Sequence, residues 1–405
     1  MQAWTIPTIP TLPGTGPVPR IYDSAGDALA SAASATGLAS LYVCGITPYD
    51  ATHLGHAATY LAFDTLQRLW RDAGYRVSYA QNTTDVDDPL LERAARDGVD
   101  WRSLASTETE RFRRDMELLR IIPPDHFVAV TETVDEIAAA VALLLDRGSA
   151  YRVEDDVYFD GAAESPPWFL GQESRLDRAA MLELSAERGG DPERSGKRDP
   201  LDPLLWRAEQ PGEPAWETVL GRGRPGWHIE CSVIATRMLP GPVTVVGGGS
   251  DLLFPHHEYS AGHASALTGR PLAGIYAHSG MIGFRGGKMS KSLGNLVLVS
   301  ALVESGADPA AIRLALLDGD YRADREWTAE LLDAATARLS RWRAWAAAPS
   351  SPAAGESPIG DLRAALADDL DTPSGIAVVD GWTAEPATLT RVAAVDALLG
   401  IELRG

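Results

Sequence analysis

The chain's 36 basic residues include only three lysines, Lys197, Lys288 and Lys291. Two of them stand within Gly286-Gly287-Lys288-Met289-Ser290-Lys291-Ser292-Leu293-Gly294-Asn295. Glycines on both flanks make this a loop able to move, and two ammonium groups on it can clamp the β- and γ-phosphates of a nucleotide. A solvated charged loop is the bland alternative, and the near absence of lysine elsewhere speaks against it. Histidine is uneven as well: all eight except His126 fall at His53 and His56, at His228, or between His256 and His278. His53-Leu54-Gly55-His56 stands where a loop is expected to enter a helix. A helix start offers free N–H donors and partial positive charge, and glycine lets a phosphate come close. Two imidazoles one turn apart could donate to an oxyanion developing on phosphorus. Taken alone, the motif reads equally as a loop with two exposed histidines.

A second constellation could hold a metal. Cys44 lies in Tyr42-Val43-Cys44-Gly45, Cys231 in Trp227-His228-Ile229-Glu230-Cys231-Ser232, and His256 in Phe254-Pro255-His256-His257-Glu258. The cysteines are 231 − 44 = 187 positions apart, so only a tertiary fold could unite them. Inert burial is the ordinary fate of two lone cysteines. Both, however, flank turn-rich motifs at expected strand ends, where doubly wound folds build their sites. Two thiolates and an imidazole suit Zn²⁺, and three protein ligands leave the open position of a catalytic site. Beside a nucleotide site, such a metal would best serve to take the thiolate of a substrate cysteine, separating it from serine.

The elements that must position these residues follow from the apolar pattern. Leu41–Cys44 reads as a short buried strand, and Leu61, Phe63, Leu66, Leu69 and Trp70 recur at helical spacing up to Gly74. Arg76–Tyr79 reads as a second strand, with helices near 88–97, 104–120 and 133–147 and a strand at Asp156–Asp160. Alternation resumes with a helix from about Ile229, a strand at Val243–Val246, a helix from Glu258 and a strand near Ile275–His278. This order predicts an α/β fold with a doubly wound parallel sheet. The expected organisation is an irregular lead-in over 1–38 carrying one short strand around Arg20-Ile21-Tyr22, a Rossmann-type catalytic domain over 39–300 with a loop-rich insertion around 161–226, and a helical region over 301–405. A flexible Pro/Ser/Ala/Gly linker is expected near 347–360.

Composition narrows the function classes. The 405 residues carry a net charge of −20, which repels phosphate backbones and makes extensive nucleic-acid binding unexpected. Residues 296–405 hold nine arginines against 17 acidic residues, a poor RNA surface. The start of the chain lacks a secretory signal, no apolar run suits a membrane span, and two cysteines make no disulfide framework. A cytoplasmic monomer, bound to neither membrane nor nucleic acid, is the expectation.

The histidine motif and the lysine loop, in this order, resemble the signature of class I aminoacyl-tRNA synthetase-like nucleotidyl transferases. Tyr42 to Asp50, Asn82-Thr83-Thr84-Asp85-Val86-Asp87-Asp88, Gly223 to Ser232 and Gly247 to Glu258 are similar to motifs of cysteinyl-tRNA synthetases. Three features depart from that group. Ser260 replaces a carboxylate that serves there as a fourth zinc ligand, Pro89 replaces a lysine, and no anticodon-binding domain is recognisable. The cysteine:glucosaminyl-inositol ligases of mycothiol biosynthesis are a closer match. Gly45 to Tyr60, Thr84 to Pro89 and Glu187-Arg188-Gly189-Gly190-Asp191-Pro192 resemble them, and all three departures are shared. That resemblance implies ATP-dependent ligation of L-cysteine, through cysteinyl-adenylate, to the amino group of glucosaminyl-inositol, with AMP and pyrophosphate released. The alternative is a cysteinyl-tRNA synthetase; a catalytically dead paralogue is set against by the intact lysine loop and histidines. The implied catalytic residues are His53, His56, Lys288 and Lys291. Cys44, Cys231 and His256 would hold one Zn²⁺, and ATP would enter with Mg²⁺. Cys44, Gly45, Ile46, Thr47, Thr59, Asn82, Thr83, Thr84, Trp227, Gly249, Ser250, Asp251 and Ile282 would line the adenylate pocket, although Trp227 is also an ordinary core residue type.

Overall fold

The computed structural model describes residues 1–49, 52–161, 165–289, 295–348 and 359–404, with the side chain of Lys288 left aside. Its centre is a five-stranded parallel sheet. From one edge to the other run Tyr276–Ser279, Val245–Gly249, Leu38–Val43, Arg76–Thr83 and His126–Ala129. Numbered along the chain this is the order 5-4-1-2-3, the doubly wound α/β arrangement the alternation predicts. The strand order reverses between Leu38–Val43 and Val245–Gly249, and a crevice opens beyond the carboxyl ends of those two strands. Leu38–Val43 is buried almost throughout, as a central parallel strand covered on both faces must be. Gly45, just past its end, cannot be larger: a Cβ there would stand 1.6 Å from the Asn82 carbonyl oxygen.

The helix Leu54–Asp72 leaves that crevice and runs along the sheet. His53 caps it, its Nδ1 accepting the Gly55 N–H at 3.1 Å. Farther along, Asp64 lies fully buried between two arginines: Arg68 Nε donates to it at 2.7 Å and Arg313 Nη2 also bonds it. Burial opposes this charge, but the two guanidiniums outweigh it and hold the Asp64 carboxyl below its usual range. Arg313 also donates to the Leu399 and Leu119 carbonyls, both at 2.6 Å. One ionic knot thus ties the first helix to the C-terminal helices, which include Pro309–Leu317, Ala329–Ala347, Thr372–Trp382 and Leu389–Leu399.

A second, antiparallel five-stranded sheet interrupts the doubly wound unit, in the order Ala150–Val153, Asp156–Phe159, Leu204–Ala208, Gly221–Pro225, Trp216–Thr218. Asp156–Phe159 therefore pairs antiparallel in this extra sheet and not in the main one. Its Val-Tyr-Phe pattern identifies a strand but carries no information on which sheet it joins. The lead-in carries the short strand expected around Arg20-Ile21-Tyr22 and is otherwise more ordered than expected. Arg20–Asp23 pairs with Ala28–Ser31 as a hairpin, and Trp4 is buried edge-on against Phe112, with its indole N–H on the Ile121 carbonyl at 2.7 Å. Most of the expected linker, and Lys291, lie outside the described residues. Among the described residues, no helix is long and apolar enough to cross a membrane.

Candidate active site

Cys44 follows directly on Leu38–Val43 and its N–H docks on the Gly247 carbonyl at 3.1 Å, so the switch point of the sheet fixes it. Cys231 comes from the helix Trp227–Met238. His256 comes from the turn Leu253–His257, where the backbone kinks at Phe254 (φ −139°, ψ 136°) before the helix Glu258–Thr268 begins. All three side chains are buried, and their donor atoms lie within 4.8 Å of one another. His256 Nε2 is 3.2 Å from Cys231 Sγ. Tetrahedral zinc, with bonds of ~2.3 Å to sulfur and ~2.0 Å to nitrogen, needs donors about 3.5–3.8 Å apart. The trio meets that with small adjustment, and its soft donors suit the ion.

The electrostatics point the same way. Burial, reinforced by the neighbouring Cys231, holds the Cys44 thiol well above its ordinary value. Burial also opposes ionisation of Cys231, but hydrogen bonds from Cys44, His256 and Tyr42 overcome it and hold that thiol well below. A divalent cation between the two sulfurs is what would favour ionisation of both. His256 Nδ1 lies 3.1 Å from His228 Nδ1. Burial holds His228 well below its ordinary value and so keeps it neutral. His228 can then accept the His256 Nδ1–H, which leaves the His256 Nε2 lone pair for a metal. On the other side His257 Nε2 lies 3.3 Å from Cys44 Sγ, His257 Nδ1 lies 2.8 Å from His278 Nε2, and His278 Nδ1 lies 2.8 Å from Ser24 Oγ. Ser260 donates its hydroxyl to the His228 carbonyl at 3.2 Å.

Against this centre opens a cavity of about 480 Å³. Cys44, Gly45, Ile46 and Thr47 form one wall; His53, Gly55, His56 and Thr59 form another. Trp227, Gly249, Asp251 and Ile282 close it, and Met289, in the lysine segment, borders it. The His53 and His56 rings stack with centroids 3.8 Å apart. Because His53 Nδ1 already accepts from Gly55, the neutral ring carries its proton on Nε2. Cys44 belongs both to the thiol–imidazole trio and to the cavity wall. A small molecule filling the cavity can therefore touch the metal position and the helix start together.

With the geometry in place, comparison with known proteins is decisive. The family of tRNA synthetases class I (C) catalytic domains matches residues 31–337. The L-cysteine:1D-myo-inositol 2-amino-2-deoxy-alpha-D-glucopyranoside ligase of Clavibacter michiganensis subsp. michiganensis is 61% identical across 100% of this chain and 99% of its own. The ligase of the same name from Mycolicibacterium smegmatis is 55% identical, with 100% of both chains covered. The chain belongs to this ligase family. Among solved structures, Mycobacterium tuberculosis methionyl-tRNA synthetase in complex with methionyl-adenylate shares the fold, with a TM-score of 0.59 over 90% of this chain and 88% of that one at 17% identity.

Not every residue singled out from sequence lies on the cavity of this ligase-family chain. Asn82, Thr83 and Thr84 are buried beneath it. Asn82 Oδ1 accepts from Gly45 N at 2.8 Å and from Tyr42 OH at 3.1 Å, and its Nδ2 donates to Thr84 Oγ1 at 3.1 Å. They shape the floor from behind. Ser250 sits in the turn beside Gly249 and Asp251 without lining the cavity. The Lys288 side chain and Lys291 are outside the described residues. Tyr49, Tyr60, Leu252, Gly280, Met281 and Leu296 also line the cavity, and sequence reading missed them. Tyr60 was within reach of inference, since it stands one turn past His56 on the same helix. The partners His257, His278 and Ser24 were missed too; the histidine clustering was the only signal.

Proposed function

We propose that this chain joins L-cysteine to the amino group of glucosaminyl-inositol in two steps, releasing pyrophosphate and then AMP. The observation that carries the reading is the double membership of Cys44, in the thiol–imidazole trio and in the wall of the cavity that His53 and His56 border. In the first step a cysteine carboxylate oxygen attacks the α-phosphorus of ATP, and the bond to pyrophosphate breaks. His53 and His56 would donate to the charge that builds on phosphorus, and Lys288 and Lys291 would offset the departing pyrophosphate, with Mg²⁺ on the nucleotide. In the second step the amine attacks the acyl carbon, the carbon–oxygen bond to AMP breaks, and the nitrogen gives up a proton. Cys44, Cys231 and His256 would hold a zinc ion, which when bound supplies a soft Lewis-acid position for the substrate thiolate.

The test is a product assay with ATP and cysteine against separate acceptors, glucosaminyl-inositol and tRNA. The expected result is an amide of the amino-sugar with one AMP and one pyrophosphate formed per product. Charged tRNA formed at a rival rate, or no amide with the amino-sugar, would overturn the reading.

A further inference from the structure

We infer that a second cavity, which shares Trp227 with the first, is the subsite for the amine-bearing acceptor, a polyol carrying one ammonium group. This rests on the ligation reading above and adds to it the place where the nucleophile binds. The cavity measures about 150 Å³ and lies between the start of the helix Asp88–Asp97, the segment Ser185–Asp191 and the pair Trp227-His228. Trp227 lines both cavities and stacks on His256 with centroids 4.4 Å apart. An acyl group anchored by its sulfur in the first cavity and a nucleophile in the second would meet along that shared wall.

The lining fits such an acceptor. The Arg188 guanidinium is spent on the carbonyls of Asp251 and Phe254, at 2.7 and 2.5 Å. Lys197 is bound to Asp191 at 2.8 Å, and Arg207 and Arg224 are both bound to Asp88. Asp87 is different. One oxygen caps the helix by accepting the Asp88 N–H at 2.8 Å, while the other has no partner among the described residues. Burial lifts this carboxyl to about 6, so it suits both holding an ammonium and taking up a proton released from it. Pro89 and Arg188–Asp191 border the same space.

A volume of 150 Å³ is too small for two rings, since drug-sized ligands occupy pockets of ~300 Å³ upward. The cavity adjoins, however, a cleft of about 530 Å³ with which it shares the lining residues Asp191, Leu204 and Arg207. That cleft presents Glu154, Asp155, Asp156, Asp191, Glu209 and Glu213 against only Arg194 and Arg207. Its field draws a cationic amine inward and repels a polyphosphate. The amino-sugar ring would occupy the inner cavity and the inositol the cleft.

The experiment measures two activities of the full-length enzyme. One is cysteine-dependent ATP–pyrophosphate exchange, which needs no acceptor; the other is the KM for glucosaminyl-inositol in amide formation. Asp87→Asn keeps a helix-capping side chain but removes the charge, and Asp191→Asn removes a negative charge at the junction with the cleft. Both variants should exchange at the wild-type rate while the acceptor KM rises about tenfold or more. Wild-type enzyme that makes the amide, together with two variants of unchanged acceptor KM, overturns the subsite and leaves the proposed function standing. Loss of exchange in both variants would assign these side chains to the cysteine or ATP site and overturn it as well. A wild-type enzyme that makes no amide from this acceptor removes the function and the subsite together.

Discussion

Replacing His257 by phenylalanine would take one N–H from the Cys44 sulfur while nearly preserving ring volume. His257 is wholly buried, and the chain from Cys44 through His257 and His278 to Ser24 has no link longer than 3.3 Å. Burial keeps both imidazoles neutral, holding His257 well below its ordinary value and His278 at about 3. With Cys44 as a thiolate, only one direction of donation is self-consistent. Ser24 O–H donates to His278 Nδ1, His278 Nε2–H to His257 Nδ1, and His257 Nε2–H to the sulfur. Losing such an outer partner of a metal ligand commonly costs ~10–100-fold in metal affinity. In free energy that is about 1.4–2.7 kcal/mol. The same substitution strands the His278 Nε2–H in a dry interior, which costs roughly a further 1–3 kcal/mol of fold stability.

The two effects are separable. Zinc affinity is read by competition with a chromophoric chelator, and stability by urea unfolding of the metal-free protein. His257→Gln, whose amide N–H can reach toward the sulfur, should recover most of the affinity. His257→Phe with unchanged zinc affinity but reduced stability would show that the imidazole only packs, and the donor chain would have to be abandoned.

Three further outcomes are expected. Lys291→Ala should slow cysteine-dependent ATP–pyrophosphate exchange by on the order of 10²-fold, as loss of one transition-state charge donor commonly does; intact exchange with lost amide formation would contradict that role. Burial and the adjacent Glu258 lift the Glu173 carboxyl to about 8 from its usual 4.5, so between those values the folded state holds a proton the unfolded chain releases, and stability falls as pH rises. Glu173→Gln should abolish that fall and gain on the order of 2–4 kcal/mol at about pH 8.5, whereas parallel pH–stability curves would refute it. Turnover with the amino-sugar should change little between about 50 and 200 mM salt, because no row of phosphate contacts is released; a steep decline would point to a polyanionic acceptor.

What could be read in advance follows from what each signal encodes. The periodic helix Leu54–Asp72 and the buried strand Leu38–Val43 carry their identity in local pattern, and both appear where that pattern puts them. Cys44, Cys231 and His256 were legible through unusual residue types in turn-rich contexts, although 187 positions separate the sulfurs. The antiparallel sheet was not legible, because strand propensity says nothing of which strand lies alongside. Asn82 shows a subtler failure. Its motif is expected to line the adenylate pocket, but its amide serves Gly45 and Tyr42 and does not line the cavity. The Ser24–His278–His257 chain joins residues 254 positions apart, and no local pattern predicts such a contact.

Serine and cysteine differ by a single atom, and shape alone rarely separates such pairs by more than ~10². A soft metal position separates them by bond chemistry, provided the protein does not fill the last coordination site itself. Here the hydroxyl of Ser260 is turned to the His228 carbonyl, and the donor group found among the described residues stops at three members. On the proposed reading, the substrate sulfur would be the fourth. Discrimination would then be complete before the acyl group is activated, and a second, hydrolytic site would be unnecessary. The inserted sheet is thereby free for another task. Its strands Asp156–Phe159 and Leu204–Ala208 border the acidic cleft that adjoins the inner cavity. The metal centre would select the acid that is activated, and the insertion would select the amine that receives it.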